Sequence, residues 1–161
     1  MINEYVTRYN VERLPVLVSD RAVSYGSAND TYDSPSDVAL FLWNGLHMTD
    51  DTEERVVMLC FNTAGHMIGF FEISRGGLDY AVFDVSSIAR KALLIGASSI
   101  IVAHNHPSGN LTPSCEDDKA SERIKEMCKI IGIRYNDFVI VGFDKYAKCN
   151  AYYSYSERER M

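Results

Sequence analysis

Two histidines and an aspartate in the segment IIVAHNHPSGNLTPSCEDD, residues 100–118, have the types and spacing of metal ligands. His104 and His106 follow an apolar run at residues 98–103 that predicts a buried strand. In extended backbone, residues i and i+2 project to the same side, so both imidazoles can face one cation. Asp117 begins the next predicted helix, and the intervening turn can fold its carboxylate back. The spacing therefore predicts a metal site.

A site of two imidazoles and one carboxylate leaves one position of a tetrahedral zinc ion open, which is typical of catalytic sites. Zinc lowers the pKa of a bound water from about 15.7 to roughly 7, so hydroxide becomes available near neutrality. Such a site also needs a general base. Glu72 is the best upstream candidate because it follows an apolar run, and buried carboxylates are rare without a partner or a function.

The helix that carries Asp117 offers a simpler explanation for part of this pattern. Apolar side chains recur at helical spacing over residues 120–131, and Ser114 precedes them as a cap. Ser114 and Asp117 have the spacing of a capping box, with Asp in place of the usual Glu or Gln. Asp118 is an alternative ligand, although the spacing favours Asp117. Cys115 is a weaker alternative, because a soft side chain beside a site is not a ligand for that reason alone.

The string HNHPSGNLTPSCED, together with EISRG upstream, resembles the RadC-like branch of the JAMM (MPN-plus) metalloproteases. The family pattern is an upstream Glu, then His-x-His-Pro, then Ser-x-x-Asp, and each element has a counterpart here. The resemblance extends from about residue 34 to the C-terminus. It implies the site of a zinc hydrolase, with metal ligands His104, His106 and Asp117, the acid/base Glu72, and Ser114 as an oxyanion-stabilising hydroxyl.

The resemblance also implies a JAB/MPN fold of cytidine-deaminase-like architecture, a Zn²⁺ cofactor, and hydrolysis of peptide or isopeptide bonds in a protein or peptide substrate. Glu72 would take a proton from zinc-bound water and return it to the leaving amine. Ser114 and the metal would hold the developing oxyanion. The alternative function is a noncatalytic or DNA-repair-associated RadC-like module that keeps the fold and acts through partners.

Apolar periodicity over the rest of the chain predicts an α/β fold, with one mixed β-sheet flanked by helices. The strands predicted at residues 55–61 and 67–73 are separated by a short turn, which predicts a hairpin. The expected elements are a helix from Ser34 and Pro35, strands at residues 55–61 and 67–73, a helix from Ser86 or Ser87 to Ile95, a strand at residues 138–141, and a last strand at the start of the tail YYSYSERERM.

The chain of 161 residues has the length of one domain with a real core. Residues 34–161 are expected to form the RadC-like JAB/MPN metalloprotease-type domain. Residues 1–33 are expected to be an N-terminal extension, with a strand at about residues 11–18 followed by a loop rich in Ser, Asn, Asp and Tyr.

Charge and composition weigh against several other classes of protein. A net charge of −6 argues against a nonspecific nucleic-acid surface, and no helix-hairpin-helix segment of longer RadC-like proteins is evident. A metal-dependent nuclease would gather more carboxylates. The sequence lacks an apolar run of about 18 residues and a signal core, so no membrane partner is expected and the cytoplasm is the expected compartment. The four cysteines form no Cys-x-x-Cys pair and are expected to be reduced.

Overall fold

A computed structural model describes residues 1–26, 31–76, 83–159 and 161. Within these residues the chain forms a sheet of seven strands and three α-helices. The elements, in chain order, are β1 (Ile2–Tyr9), β2 (Pro15–Val23), α1 (Pro35–Leu40), β3 (Arg55–Phe61), β4 (Met67–Arg75), α2 (Val85–Ile95), β5 (Ser99–Asn105), α3 (Cys115–Ile131), β6 (Arg134–Asp144) and β7 (Cys149–Ser154).

The strands are arranged in the order β2-β1-β4-β3-β5-β6-β7. The β1–β4 and β5–β6 pairs are parallel and the other pairs are antiparallel. Helix α1 packs on one face of the sheet, whereas α2 and α3 pack on the other. Every residue of β3 and β5 is buried, because helices cover both faces of the central strands. The predicted α/β fold with a mixed, helix-flanked sheet is confirmed.

Helix α1 begins as predicted. Ser34 is its N-cap and forms a capping box with Asp37, and Pro35 occupies the first turn. The helix is shorter than the apolar pattern indicates, because the backbone continues from Phe41 to Gly45 as a π-helical turn. A 3₁₀ turn follows over Met48–Asp50 and leads the chain to β3.

The N-cap of helix α2 lies two or three residues before the predicted one. Its N-cap is Asp84 rather than Ser86 or Ser87, and the Asp84 carboxylate accepts a hydrogen bond from the Ser87 amide at 3.1 Å. An aspartate satisfies a free helical amide as well as a serine does, so the earlier of the polar residues caps the helix. The predicted stop at Gly96 is confirmed, with the glycine in the left-handed region at φ 71°.

The N-terminal extension differs from its prediction. It forms a hairpin of β1 and β2 rather than one strand at residues 11–18, because the Asn10 side chain accepts hydrogen bonds from the Glu12 and Leu14 amides and closes a turn inside that span. The predicted loop that follows includes residues 27–30, which lie outside the described residues. None of the helices in the described ranges has the length and apolarity needed to cross a bilayer.

Strands β5 and β6 determine where the candidate site lies. They run parallel, and β5 is paired on its other side with β3 in antiparallel register, with Val56 opposite His104. Helix α3 connects β5 to β6 across one face of the sheet, as the right-handed crossover of a parallel pair requires. The first turn of α3 is thereby brought beside the end of β5.

Candidate metal centre

The two histidines and Asp117 converge at the end of β5. The Nε2 atoms of His104 and His106 lie 2.9 Å apart. His104 Nε2 lies 3.1 Å from Asp117 Oδ1, and His106 Nε2 lies 3.5 Å from Asp117 Oδ2. Within the described parts of the chain, these three residues are the one group of histidine, cysteine and acidic side chains with the geometry of a metal site.

These separations fit a small divalent cation. A tetrahedral ion with bonds of about 2.0–2.1 Å holds its ligand atoms about 3.3 Å apart. The three separations at the end of β5, between 2.9 and 3.5 Å, bracket that value. Two imidazoles and one carboxylate form a donor set that suits zinc and leaves a further position open. The residues present therefore fit the metal that the sequence predicts.

The turn after β5 fixes the orientation of His106. His106 Nδ1 lies 2.6 Å from the Asn110 carbonyl oxygen and donates a hydrogen bond to it, so the ring turns Nε2 toward the cluster. The turn needs glycine at residue 109. Gly109 has φ 79°, and a Cβ atom there would lie 2.3 Å from the Phe143 carbonyl oxygen.

The Ser-x-x-Asp pattern both caps α3 and places the metal ligand. The Asp117 amide donates to Ser114 Oγ, and the Ser114 amide and hydroxyl both donate to Asp117 Oδ2 at 2.8 Å. This capping box holds one carboxylate oxygen and turns the other, Oδ1, toward His104. The Ser114 hydroxyl is engaged by Asp117, and its role toward an oxyanion stays a prediction.

Burial and mutual contact shift the pKa values in the cluster. Burial lowers the pKa of His104 below its usual range. Burial alone would raise the pKa of Asp117, but hydrogen bonds from both histidines outweigh it and hold the pKa well below the usual range, so the carboxylate is ionised. Burial would likewise lower the pKa of His106, but Asp117, the Asn110 carbonyl and the charge of Glu54 together raise it.

The two alternative ligands lie outside the cluster. Asp118 Oδ1 accepts a hydrogen bond from the Tyr155 hydroxyl at 2.7 Å, so this carboxylate is turned toward the buried tyrosine that follows β7. Cys115 is exposed on the first turn of α3 and is not part of the metal-ligand group. Asp117 is therefore the acid that α3 contributes to the cluster.

Glu72 is not brought to the metal centre. It pairs with Val57 across β3 and β4, and Val57 belongs to the core on the α1 face of the sheet. His104 pairs with Val56, which belongs to the core on the opposite face. Glu72 Oε2 lies 2.7 Å from Nε of the buried Arg55. The structure therefore places Glu72 on the α1 face of the sheet, paired with Arg55, and its role as the acid/base stays a prediction.

A different carboxylate, Glu54, lies on the histidine side. The antiparallel register that pairs Val56 with His104 places Glu54 opposite His106 when it is continued by one alternation. The Glu54 side chain is 9% exposed, and its charge contributes to the raised pKa of His106. The sequence signal was an acid directly before a buried strand. Its position relative to the ligands depends on the register between β3 and β5, which no pattern within either strand reveals.

The fold and the cluster together define the class of the protein. A mixed sheet flanked by helices, with a His-x-His pair closing a central strand and an Asp at the start of the next helix, is the architecture of a JAB-type domain with a candidate metal centre. The family profile of the RadC-like JAB domain matches residues 32–160. The chain belongs to this family.

Curated relatives carry the general designation UPF0758 protein. The chain is 40% identical over 99 residues to one from Carboxydothermus hydrogenoformans, with 62% of the chain and 44% of that relative covered. It is 37% identical over 110 residues to one from Porphyromonas gingivalis, covering 68% and 46%. One from Staphylococcus haemolyticus is 38% identical over 114 residues, covering 71% and 49%. The matched region spans about half the length of these relatives.

Proposed function

We propose that this protein is a zinc-dependent hydrolase of peptide or isopeptide bonds in which a glutamate activates water. The observation that supports the proposal most strongly is the convergence of three ligand atoms at the end of β5, with the ionised Asp117 among them. His104, His106 and Asp117 would hold the metal. When bound, zinc acts as a Lewis acid and lowers the pKa of water at its open position.

Glu54 takes the role of acid and base in this proposal. Glu54 directly precedes β3, and its charge acts on His106. It accepts a proton from the attacking water and returns the proton to the leaving amine nitrogen, which is a general base followed by a general acid role.

In this proposal the first role of Ser114 is to orient Asp117. Both hydrogen bonds from Ser114 to Asp117 Oδ2 fix the ligand carboxylate in one orientation. An oxyanion could be stabilised by the hydroxyl only after that hydroxyl turns away from Asp117. Orienting the ligand is therefore the role that the geometry supports for Ser114, and oxyanion stabilisation is proposed as a second one.

The experiment compares two glutamates that lie on opposite faces of the sheet. Zinc-loaded wild-type protein and the Glu54→Gln and Glu72→Gln variants are assayed on internally quenched peptides and on lysine isopeptide reporters. Glu54→Gln should reduce hydrolysis by about 10²–10⁴-fold with zinc still bound, because it removes the proton acceptor. Glu72→Gln should stay within a few-fold of the wild type.

Two results would count against this proposal. Loss of activity in Glu72→Gln with retention in Glu54→Gln would exchange the roles of the two residues. Zinc binding without hydrolysis across the reporters, together with measurable DNA affinity, would favour the noncatalytic or DNA-associated module.

A further inference from the structure

Asn105 lies between the two histidine ligands in sequence, and its side chain points away from them, as strand alternation predicts. It is 0% exposed. Its Oδ1 accepts a hydrogen bond from the Arg55 amide at 2.7 Å, and its Nδ2 donates one to the Glu53 carbonyl at 3.1 Å. Both partners are backbone groups, and they flank Glu54 on either side. The buried Asn105 side chain therefore binds the backbone on both sides of Glu54, the proposed acid/base.

The Asn105 carboxamide takes the place of backbone hydrogen bonds just beyond the end of the β3–β5 pairing. The pairing of β3 with β5 ends at Val56 and His104, and at the next position the two chains are joined through the Asn105 side chain. A carboxamide presents an acceptor and a donor side by side, as a peptide group does. Alanine offers neither group, and aspartate offers an acceptor without the donor. The bridge is therefore specific to the chemistry of asparagine.

Other contacts hold the same segment from the β4 side and from the opposite face. The Glu54 carbonyl accepts a hydrogen bond from the Gly76 amide at 3.0 Å. The Arg55 side chain, 2% exposed, binds Glu72 and the Leu46 carbonyl. The Asn105 amide adds a direct connection between the backbone on either side of Glu54 and the strand end that carries both histidines.

We propose that Asn105 is a positioning residue that holds Glu54 at its working distance from the metal ligands. This inference rests on the proposed function, in which Glu54 is the acid/base. Because the bridge joins the Glu54 segment to the residue between the ligands, loss of the bridge lets the carboxylate move while the ligands keep their own contacts with Asn110 and Ser114.

The main test is a double-mutant cycle on hydrolysis. Asn105→Ala should lower kcat by about 100-fold, the effect of a displacement of about 1 Å, while zinc affinity changes by less than a few-fold. In the Glu54→Gln background, Asn105→Ala should cause no further loss, because the group that it positions is absent. Equal losses in both backgrounds, or loss of zinc in parallel with activity, would mean that Asn105 has a general structural role.

Asn136→Ala is the matched control. The Asn136 side chain also joins two strands, since its Nδ2 donates to Ser99 Oγ at 3.1 Å, but it does so at the opposite end of β5. This variant should lose thermal stability and keep its kcat. If Asn136→Ala lowers kcat as much as Asn105→Ala does, the effect of Asn105 is not positional and the inference fails.

A second readout does not depend on turnover. Cobalt(II) replaces zinc, and its visible absorption reports the groups around the open coordination position. Glu54→Gln should alter the spectrum, and Asn105→Ala should alter it in the same direction with unchanged cobalt affinity. If Glu54→Gln has an effect and Asn105→Ala has none, the positioning role is overturned. If neither variant alters the spectrum, Glu54 is not at the site and both proposals fail.

The two proposals fail in different ways. A wild-type protein that hydrolyses none of the reporters removes the proposed reaction, yet matching spectral changes in the two variants would still support the link between Asn105 and Glu54. Faster hydrogen exchange of the Arg55 amide in Asn105→Ala, with Ile140 of the adjoining β6 unchanged, would show that the bridge itself has been lost. Unchanged exchange at Arg55 would contradict the bridge.

Discussion

Two clusters of charged side chains, each with a buried member, lie on opposite faces of the sheet. On the α1 face, Arg55 and Arg75 contact the carboxylates of Asp51 and Glu72, so the protein supplies a cation for each acid. On the other face, Asp117 contacts only imidazoles and the Ser114 cap. The first cluster is neutralised by its own arginines. The second brings two imidazole nitrogens and one carboxylate together in a geometry that suits a cation.

This difference separates a structural cluster from a candidate metal centre. A buried carboxylate that finds an arginine has its charge balanced and needs nothing further. A carboxylate that faces two imidazole Nε2 atoms is balanced only if a histidine is protonated or a metal binds. Burial lowers the pKa of His104 and so favours the metal over the proton at that residue.

The largest effect is expected at the ligand itself. Asp117→Ala should lower zinc affinity by more than the roughly 10–100-fold that loss of an outer partner costs, because a ligand atom is removed. Isothermal titration with zinc measures this change. Asp118→Ala is the control, since Asp118 contacts Tyr155 instead of the histidines. Equal loss of zinc in both variants would mean that the first turn of α3 matters only as a whole.

The next effect concerns the neutralised cluster. Arg55→Leu should lower the free energy of unfolding by about 2–3 kcal/mol, because it leaves the Leu46 carbonyl without its buried donor and removes one of the two arginines that pair with Asp51 and Glu72. Urea denaturation measures the loss. Arg75→Leu should cost less than about 1 kcal/mol, since Arg75 is more exposed than Arg55. If the two losses are equal, burial does not distinguish the two arginines.

A smaller effect is expected in the turn that carries His106. Gly109→Ala should cost about 1–3 kcal/mol of stability and also weaken zinc binding, because its Cβ would meet the Phe143 carbonyl and displace the turn. Gly96→Ala is the control. Gly96 has a similar φ of 71° with open space around the Cβ position, so this variant should lose stability alone. Zinc affinity and chemical denaturation separate the two effects, and unchanged zinc affinity in Gly109→Ala would contradict the account of the turn.

The smallest expected effect is a pH dependence of stability that arises at Asp137, a residue of neither cluster. Burial raises the pKa of Asp137, although hydrogen bonds from Ser154 and Ser156 oppose the shift. A raised folded-state pKa means that this carboxyl favours the folded state below its unfolded pKa of about 3.9, and that this contribution is lost as the pH rises through the folded pKa. Asp137→Asn should therefore gain stability relative to the wild type as the pH rises through that window.

Denaturation of both proteins at a series of acidic pH values checks this prediction. An Asn side chain keeps one acceptor for the amides and places a donor near the Ser154 hydroxyl, so the comparison isolates the charge. A stability difference that stays constant with pH would mean that the carboxyl is not perturbed.

The ligand triad could be predicted because its geometry is local. Strand alternation aligns His104 with His106, and the spacing of a helix cap places Asp117. The same local logic predicts that the Asn105 side chain points away from the metal, and the structure places its amide against the backbone of Glu53 and Arg55. The mixed sheet with flanking helices also followed from patterns within each element.

The placement of the upstream carboxylates could not be predicted, because it depends on pairing between distant strands. Glu72 is predicted as the acid/base from its position after an apolar run, whereas the structure pairs it with Arg55. A register shift between Val56 and Val57 sets which β4 residues face each side of the sheet, and no pattern within β4 reveals it. The position of Glu54 beside the histidines likewise depends on how β3 pairs with β5.

Zinc-edge anomalous diffraction from zinc-loaded crystals would locate the metal and show which glutamate lies beside it. We expect one strong peak within bonding distance, about 2.0–2.2 Å, of His104 Nε2, His106 Nε2 and Asp117 Oδ1, with the Glu54 carboxylate facing its open side and Glu72 still paired with Arg55. A peak coordinated by other residues, or one with Glu72 turned toward it and Glu54 turned away, would refute the proposed metal centre.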